Sequence, residues 1–165
     1  MTTKEARTLI KKWLKEREFK PVKIPGSSSD YIHSLGEFYT YITFYKDRFA
    51  DAYIFEVGCY FDDCEYGYAT IRVLDLPSNT HLFKGHSQGL YYGEGELSEA
   101  QFLQCLDEMF DKYLKPYYEQ GKKYLKYIIL HENTLFGEGY GIAKGAREKI
   151  NKMFGLNIQF KIYRD

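Results

Sequence analysis

Three segments between residues 39 and 74 constrain the fold more than any other part of the sequence. In residues 39–45, 52–61 and 66–74, large apolar side chains alternate with tyrosines and polar side chains, which is the period-two pattern of strands. The connections at 46–51 and 62–65 are short and polar, so consecutive strands should pair as antiparallel neighbours. We therefore predict a three-strand antiparallel meander at the centre of the fold.

A helical pattern precedes the meander between residues 2 and 17. Thr2 and Glu5 have the spacing of a capping box, in which each side chain accepts a hydrogen bond from the other's backbone. The apolar side chains that follow recur at helical spacing and form one stripe: Ala6, Leu9, Ile10, Trp13 and Leu14. A helix with this stripe would pack on the sheet.

Two further helices are predicted in the second half of the chain. One begins after the capping residue Ser98 and continues to Gly121, and Pro116 should kink it or start a new turn. The other covers residues 142–154 and ends at Gly155, since glycine commonly terminates helices.

The remaining segments are less regular. Residues 19–24 predict a short strand at a sheet edge, because Pro21 lacks the N–H that an interior strand needs. Residues 124–130 fit either a strand or a helix, and we favour a strand. Residues 158–162 alternate as a last strand. The connection 77–97 is long for a compact domain, so it should be functional or partly ordered by a ligand.

These patterns predict a single α+β domain over residues 1–165, with about three helices on one face of a mostly antiparallel sheet. The N-terminus lacks the apolar stretch of a signal peptide, and no segment is long and apolar enough to cross a membrane. Cys59, Cys64 and Cys105 have no metal-ligand or redox spacing. We expect three reduced thiols and a cytoplasmic location.

Charge is unevenly distributed along a chain whose formal net charge is zero. Residues 61–111 carry two basic and ten acidic side chains, whereas residues 112–165 carry eleven basic and five acidic ones. The folded chain could mix these blocks over its surface, which is the interpretation we favour, or keep them apart and steer a charged partner. Neutral net charge argues against nucleic-acid binding, which needs clustered lysines and arginines.

Tyrosine is the most unusual component, with 17 residues against 12 phenylalanines. If Phe55 and Val57 face the helices, six tyrosines of the meander face the other way: Tyr39, Tyr41, Tyr45, Tyr60, Tyr66 and Tyr68. Tyrosine is enriched at protein interfaces because it gives a large, stiff contact area with a polar tip. It also favours strands for purely structural reasons. We expect a protein-binding face, with Tyr41 and Tyr68 losing surface on association.

A glycine-rich segment before the third helix supplies an alternative site. Gly139 and Gly141 would let backbone N–H groups approach an anion, and Lys144 would add positive charge at the helix N-terminus. The pattern is neither a phosphate-binding P-loop nor a dinucleotide fingerprint. The segment therefore suggests a phosphate-type ligand but does not indicate which one.

No arrangement of residues predicts a catalytic or metal site. The histidines His81, His86 and His131 have no informative spacing, and the acidic turn 62–65 is explained by turn chemistry and solubility. We assign no catalytic residue, no metal and no cofactor, and no motif resembles a known family.

The leading hypothesis is a non-enzymatic protein-binding module, of the adaptor, immunity or inhibitor type. Its partner would be another protein or a second copy, bound through the tyrosine-rich sheet face. The alternative is a phosphate- or nucleotide-binding domain, with or without enzymatic activity, that uses the glycine-rich turn. A membrane partner is not expected.

Overall fold

The computed structural model describes residues 1–23, 29–61, 68–73, 76, 89–131 and 144–157, with the backbone alone for 68–72, 131 and 144–147. Its helices and strands are, in chain order, α1 (Thr3–Glu16), β1 (Lys20–Val22), β2 (Asp30–Ser34), β3 (Tyr39–Lys46), β4 (Ala52–Tyr60), β5 (Tyr68–Arg72), β6 (Leu90–Tyr91), α2 (Glu99–Met109), a π-helical segment (Phe110–Leu114), α3 (Lys115–Gln120), α4 (Lys122–His131) and α5 (Lys144–Phe154).

The strands form one antiparallel sheet in the order β1-β2-β3-β4-β5, and β6 pairs with the first residues of β4. Strands β3, β4 and β5 are the predicted meander, and the α+β fold class is confirmed. The predicted edge strand is also confirmed, because β1 lies at the end of the sheet and contains Pro21. Its neighbour β2 was not predicted, because its sequence lacks a strong alternating pattern.

The register of β3 and β4 separates the sheet into two faces. Ile42 lies opposite Val57 and Phe44 lies opposite Phe55, and all four side chains are buried in the core shared with α1 and α2. We call this side the helix-covered face. The intervening residues point to the other side because side chains alternate along a strand, and we call that side the outer face.

Helices α1 and α2 are joined by one carboxylate. The Trp13 indole Nε1 donates a hydrogen bond of 2.8 Å to Asp107 Oδ1. The Arg17 guanidinium pairs with the same oxygen and lies 4.2 Å from the centroid of the Trp13 ring. The capping box of Thr2 and Glu5 is present at the start of α1, as predicted.

The predicted second helix is divided into three parts. Pro116 cannot donate a hydrogen bond and its ring would crowd the carbonyl one turn earlier. The chain accommodates it with the π-helical segment, in which the Lys115 N–H bonds to the Phe110 carbonyl, and Pro116 then lies in the first turn of α3. Of the two outcomes predicted for Pro116, a kink or a new turn, the structure shows a new turn.

The strand favoured for residues 124–130 is wrong, because these residues belong to α4. Leu125, Ile128 and Ile129 are buried at helical spacing against Phe38, Cys59, Phe61, Tyr117 and Ile150, which form a second core. The adjacent isoleucines suggested a strand, but tertiary packing decided otherwise. The third helix, predicted for 142–154, is found at Lys144–Phe154 and is followed by Gly155 with φ +62°. The predicted strand 158–162 lies outside the described residues.

Candidate protein-binding surface

Four of the six tyrosines singled out in the sequence share the outer face. Tyr39 lies opposite Tyr60 in the register, Tyr41 lies opposite Gly58, and Tyr45 lies opposite Ile54. The Tyr39 and Tyr60 rings make an edge-to-face contact with centroids 6.2 Å apart. The alternation therefore placed these tyrosines correctly, and the sheet brings them together.

The structure does not test the outward placement of the other two tyrosines in the same way. Tyr66 lies outside the described residues. Tyr68 is the first residue of β5, and its register partner is Cys59 across an irregularity between Val57 and Cys59. Strict alternation along residues 66–74, from which Tyr68 was assigned to the tyrosine face, is interrupted by this β-bulge.

Facing outward does not leave Tyr41 and Tyr60 accessible. They are only 5% and 8% exposed, and Val22, Ile32 and Tyr39 pack against them. The expectation that Tyr41 loses surface on association is wrong, because it has almost none left to lose. Two of the covering side chains come from the neighbouring strands β1 and β2, and the alternation within β3 alone does not indicate them.

Two carboxylates on the outer face hold the tyrosine hydroxyls. Asp30, Thr43 and Glu56 lie side by side across β2, β3 and β4. The Tyr41 hydroxyl donates a 2.6 Å hydrogen bond to Asp30 Oδ1, and the Tyr45 hydroxyl donates a 3.2 Å hydrogen bond to Glu56 Oε1. Burial is the largest of the causes that raise the pKa of Tyr41, and the neighbouring Asp30 carboxylate is the second. The phenol is therefore a fixed, neutral donor.

The most exposed large apolar side chain in the described part of the chain is Phe49, at 90%. It lies in the turn between β3 and β4, directly after Arg48. The backbone of this turn is held by the buried Asp47, whose Oδ1 accepts hydrogen bonds from the N–H groups of Phe49 (2.7 Å) and Ala50 (3.1 Å). Phe49 therefore projects from an ordered turn.

Further contacts fix this end of the hairpin. The Asp47 N–H bonds to the Ala52 carbonyl at 2.9 Å, and the Tyr92 N–H, just after β6, bonds to the Asp51 carbonyl at 2.9 Å. A Cβ atom at Gly89 would lie 2.7 Å from the carbonyl oxygen of Tyr53, so a larger residue would push β6 away from β4.

The sequence analysis interpreted residues 46–51 as a polar turn and did not identify Phe49 as a candidate binding residue.

The cysteines in the described part of the chain are poor nucleophiles. Cys59 and Cys105 are buried free thiols. Burial raises the pKa of both, that of Cys105 to about 11, and the thiolate is the reactive form. Within the described ranges, no group of three or more His, Cys, Asp and Glu side chains could hold a metal ion. No helix there is long and apolar enough to span a membrane.

The alternative anion site falls mostly beyond the described residues. Gly139 and Gly141 lie outside them, as do His81, His86 and the acidic turn 62–65. Lys144 is the first residue of α5. The phosphate hypothesis remains a prediction.

Comparison of the chain with protein-family models, with the curated proteins and with the solved structures found no match. Function must therefore be inferred from the side chains themselves.

Proposed function

We propose that this chain is a non-enzymatic protein-binding module that docks its partner through the turn end of the β3–β4 hairpin. The observation that carries the proposal is the 90% exposure of Phe49 on a turn whose backbone is held by Asp47. Isolated exposed apolar residues are common on proteins. Phenylalanine is one of the aromatic residues enriched at the core of protein interfaces, and the ordered turn presents its ring to a partner.

The energetics favour Phe49 as an anchor. Removing a phenylalanine side chain from water contributes about 1.5–3 kcal/mol. If Phe49 were on a flexible loop, part of this free energy would be lost in ordering the backbone on binding. The hydrogen bonds to Asp47 order the turn before a partner binds. Arg48, the exposed residue directly before Phe49 in the chain, adds a cation to the same turn. The matching pocket in the partner would be apolar with a carboxylate at its edge.

The tyrosines take two roles in this proposal. Tyr41 and Tyr60 are buried in the outer face, and their packing against neighbouring side chains makes this face rigid. Among the tyrosines of this face whose side chains the structure describes, Tyr39 and Tyr45 are half-buried and still expose surface to a partner. Tyr45 lies one residue before the end of β3, nearest the turn, so a partner seated on Phe49 could extend onto it.

The partner is another protein or a second copy of the chain, and the type of module is an adaptor, an immunity protein or an inhibitor. We further propose a cytoplasmic location, supported by the free thiols of Cys59 and Cys105, since thiols persist in reducing compartments.

Sedimentation of the purified chain at high micromolar concentration tests the second-copy form of this proposal. Wild type should self-associate and Phe49→Ala should not, whereas the control Leu130→Ala, which also removes an exposed apolar side chain, should behave as wild type. A chain that stays monomeric leaves another protein as the partner.

A thermal-shift screen with phosphate and nucleotides tests the alternative function, because a ligand at a hundredfold excess over its Kd stabilises the folded protein by about 2.7 kcal/mol. We expect no shift, and a clear one would favour the glycine-rich site.

A further inference from the structure

Helix α4 presents a second candidate surface, separate from the hairpin turn. Its inner side is buried, with Leu125, Ile128 and Ile129 in the second core. Its outer side carries Lys123, Lys126, Tyr127 and Leu130, all exposed, at the i, i+3, i+4 and i+7 positions that share one side of a helix. We call these four residues the α4 stripe.

The α4 stripe contains two exposed apolar side chains, Tyr127 and Leu130. Tyr127 is 49% exposed and Leu130 is 40% exposed, and with Phe49 they make up the exposed large apolar side chains in the described part of the chain. The Tyr127 ring stacks on Tyr124, with centroids 6.2 Å apart and planes 19° apart. Tyr127 is therefore already oriented, which lowers the entropy lost when a partner covers it.

The lysines of the stripe do not help α4 to fold. The helix contains no carboxylate, and Lys122 and Lys123 lie in its first turn, where positive charge opposes the helix dipole. Lys122 is paired with Glu37 on the sheet side. Lys123 and Lys126 make no ion pair with any residue of the described ranges, and like charges at this spacing repel each other. Their charge is available to a partner.

We propose that the α4 stripe binds an acidic amphipathic helix of another protein, with leucine-like side chains on Tyr127 and Leu130 and carboxylates on Lys123 and Lys126. Helices commonly dock through apolar anchors at this spacing. Nucleic acid fits less well, because it requires clustered cations, and Tyr124 already covers one face of the Tyr127 ring. A bilayer would receive only two apolar side chains, too few for an interfacial helix.

The position of the stripe suits an adaptor. Helix α4 packs on Phe38 and Phe61, which lie just before β3 and just after β4, whereas Phe49 lies at the other end of the same hairpin. Eight residues of β3 span about 26 Å. Two partners could therefore bind at opposite ends of one rigid hairpin. The inference about the α4 stripe does not depend on Phe49.

Fluorescence anisotropy with labelled peptides tests the proposal. The probe is a helical peptide of about 18 residues with leucines on one side and glutamates on the flanks. A scrambled peptide of equal composition and a peptide with lysine in place of glutamate serve as controls. The protein variants are Lys123→Glu with Lys126→Glu, Tyr127→Ala with Leu130→Ala, and the matched charge control Lys4→Glu with Lys11→Glu on α1. Circular dichroism verifies that each variant is folded.

We expect the acidic amphipathic peptide to bind wild type better than both control peptides, and more weakly as salt rises. Each pair of changes on α4 should weaken binding by about tenfold or more, while the α1 control and Phe49→Ala should stay within about twofold. Equal binding of the scrambled peptide, or no effect of the α4 changes, would overturn the proposal. So would binding of an oligonucleotide or of vesicles containing phosphatidylserine without binding of the peptide.

Discussion

Two phenylalanines of one hairpin, five residues apart, have opposite surroundings. Phe44, on the helix-covered face, is 1% exposed and stacks on Phe55 with centroids 5.9 Å apart. Phe49, in the turn, is 90% exposed, and the hydrogen bonds around it are made by its backbone. The ring of Phe44 contributes to folding, whereas the ring of Phe49 is available to a partner. Stability and binding should therefore respond to different substitutions in the same hairpin.

The largest expected effect is on the helix-covered face. Phe44→Ala should lower the free energy of unfolding by about 3–5 kcal/mol, because it removes buried apolar surface and leaves a cavity. Chemical denaturation followed by circular dichroism measures this loss. A loss below about 1 kcal/mol would mean that Phe44 is not in a packed core.

A smaller loss is expected on the outer face. Tyr41→Phe removes the hydroxyl that donates to the buried Asp30 carboxylate, which should cost about 1–3 kcal/mol. The matched control is Tyr45→Phe, since Tyr45 is half-buried and its hydrogen bond to Glu56 is longer. Equal losses in the two variants would show that the Tyr41–Asp30 contact has no special role.

Alkaline pH should destabilise the fold through buried phenols. Burial raises the pKa of Tyr118 to about 12 from 10.0, so the unfolded chain releases this proton first. The stability that depends on neutral Tyr118 is complete below pH 10 and is lost as the pH rises through the folded-state pKa near 12. Absorbance titration should show this tyrosine ionising late, and Tyr118→Phe should reduce the loss. Ionisation of every tyrosine near pH 10 in folded protein would contradict this.

The smallest expected effect on stability is at the turn. Phe49→Ala should change the free energy of unfolding by less than about 0.5 kcal/mol, as for surface positions without special contacts. Asp47→Ala should cost more, because it removes the acceptor of two backbone hydrogen bonds. A loss of several kcal/mol in Phe49→Ala would show that its ring packs in the folded chain, and would remove the basis of the proposed function.

Much of the fold was predictable from the sequence, because local patterns coincide with packing. The alternation in residues 39–61 gave both faces of β3 and β4, and Thr2 with Glu5 gave the start of α1. Helix α4 was missed because isoleucines next to each other fit a buried strand as well as a helix. Only the contacts with Phe38 and Phe61 decide between them.

The candidate site was less predictable than the fold. The sequence indicates which residues face outward, but exposure depends on neighbours from other strands, as the burial of Tyr41 beneath Ile32 and Val22 shows. Phe49 could have been noticed as the one large apolar residue in a polar turn. The Asp47 hydrogen bonds that make it rigid require coordinates.

Site-specific photo-crosslinking at position 49 tests the central claim most directly. A benzophenone amino acid replaces Phe49 in one variant and the exposed Lys11 of α1 in the control, and both are exposed to a lysate of the source organism and to the purified wild-type chain. We predict a discrete crosslinked product at position 49, either with one protein or with a second copy, that excess unlabelled wild type suppresses and excess Phe49→Ala does not. Identical products at positions 49 and 11, or none that wild type suppresses, would contradict a role for Phe49 in binding a partner.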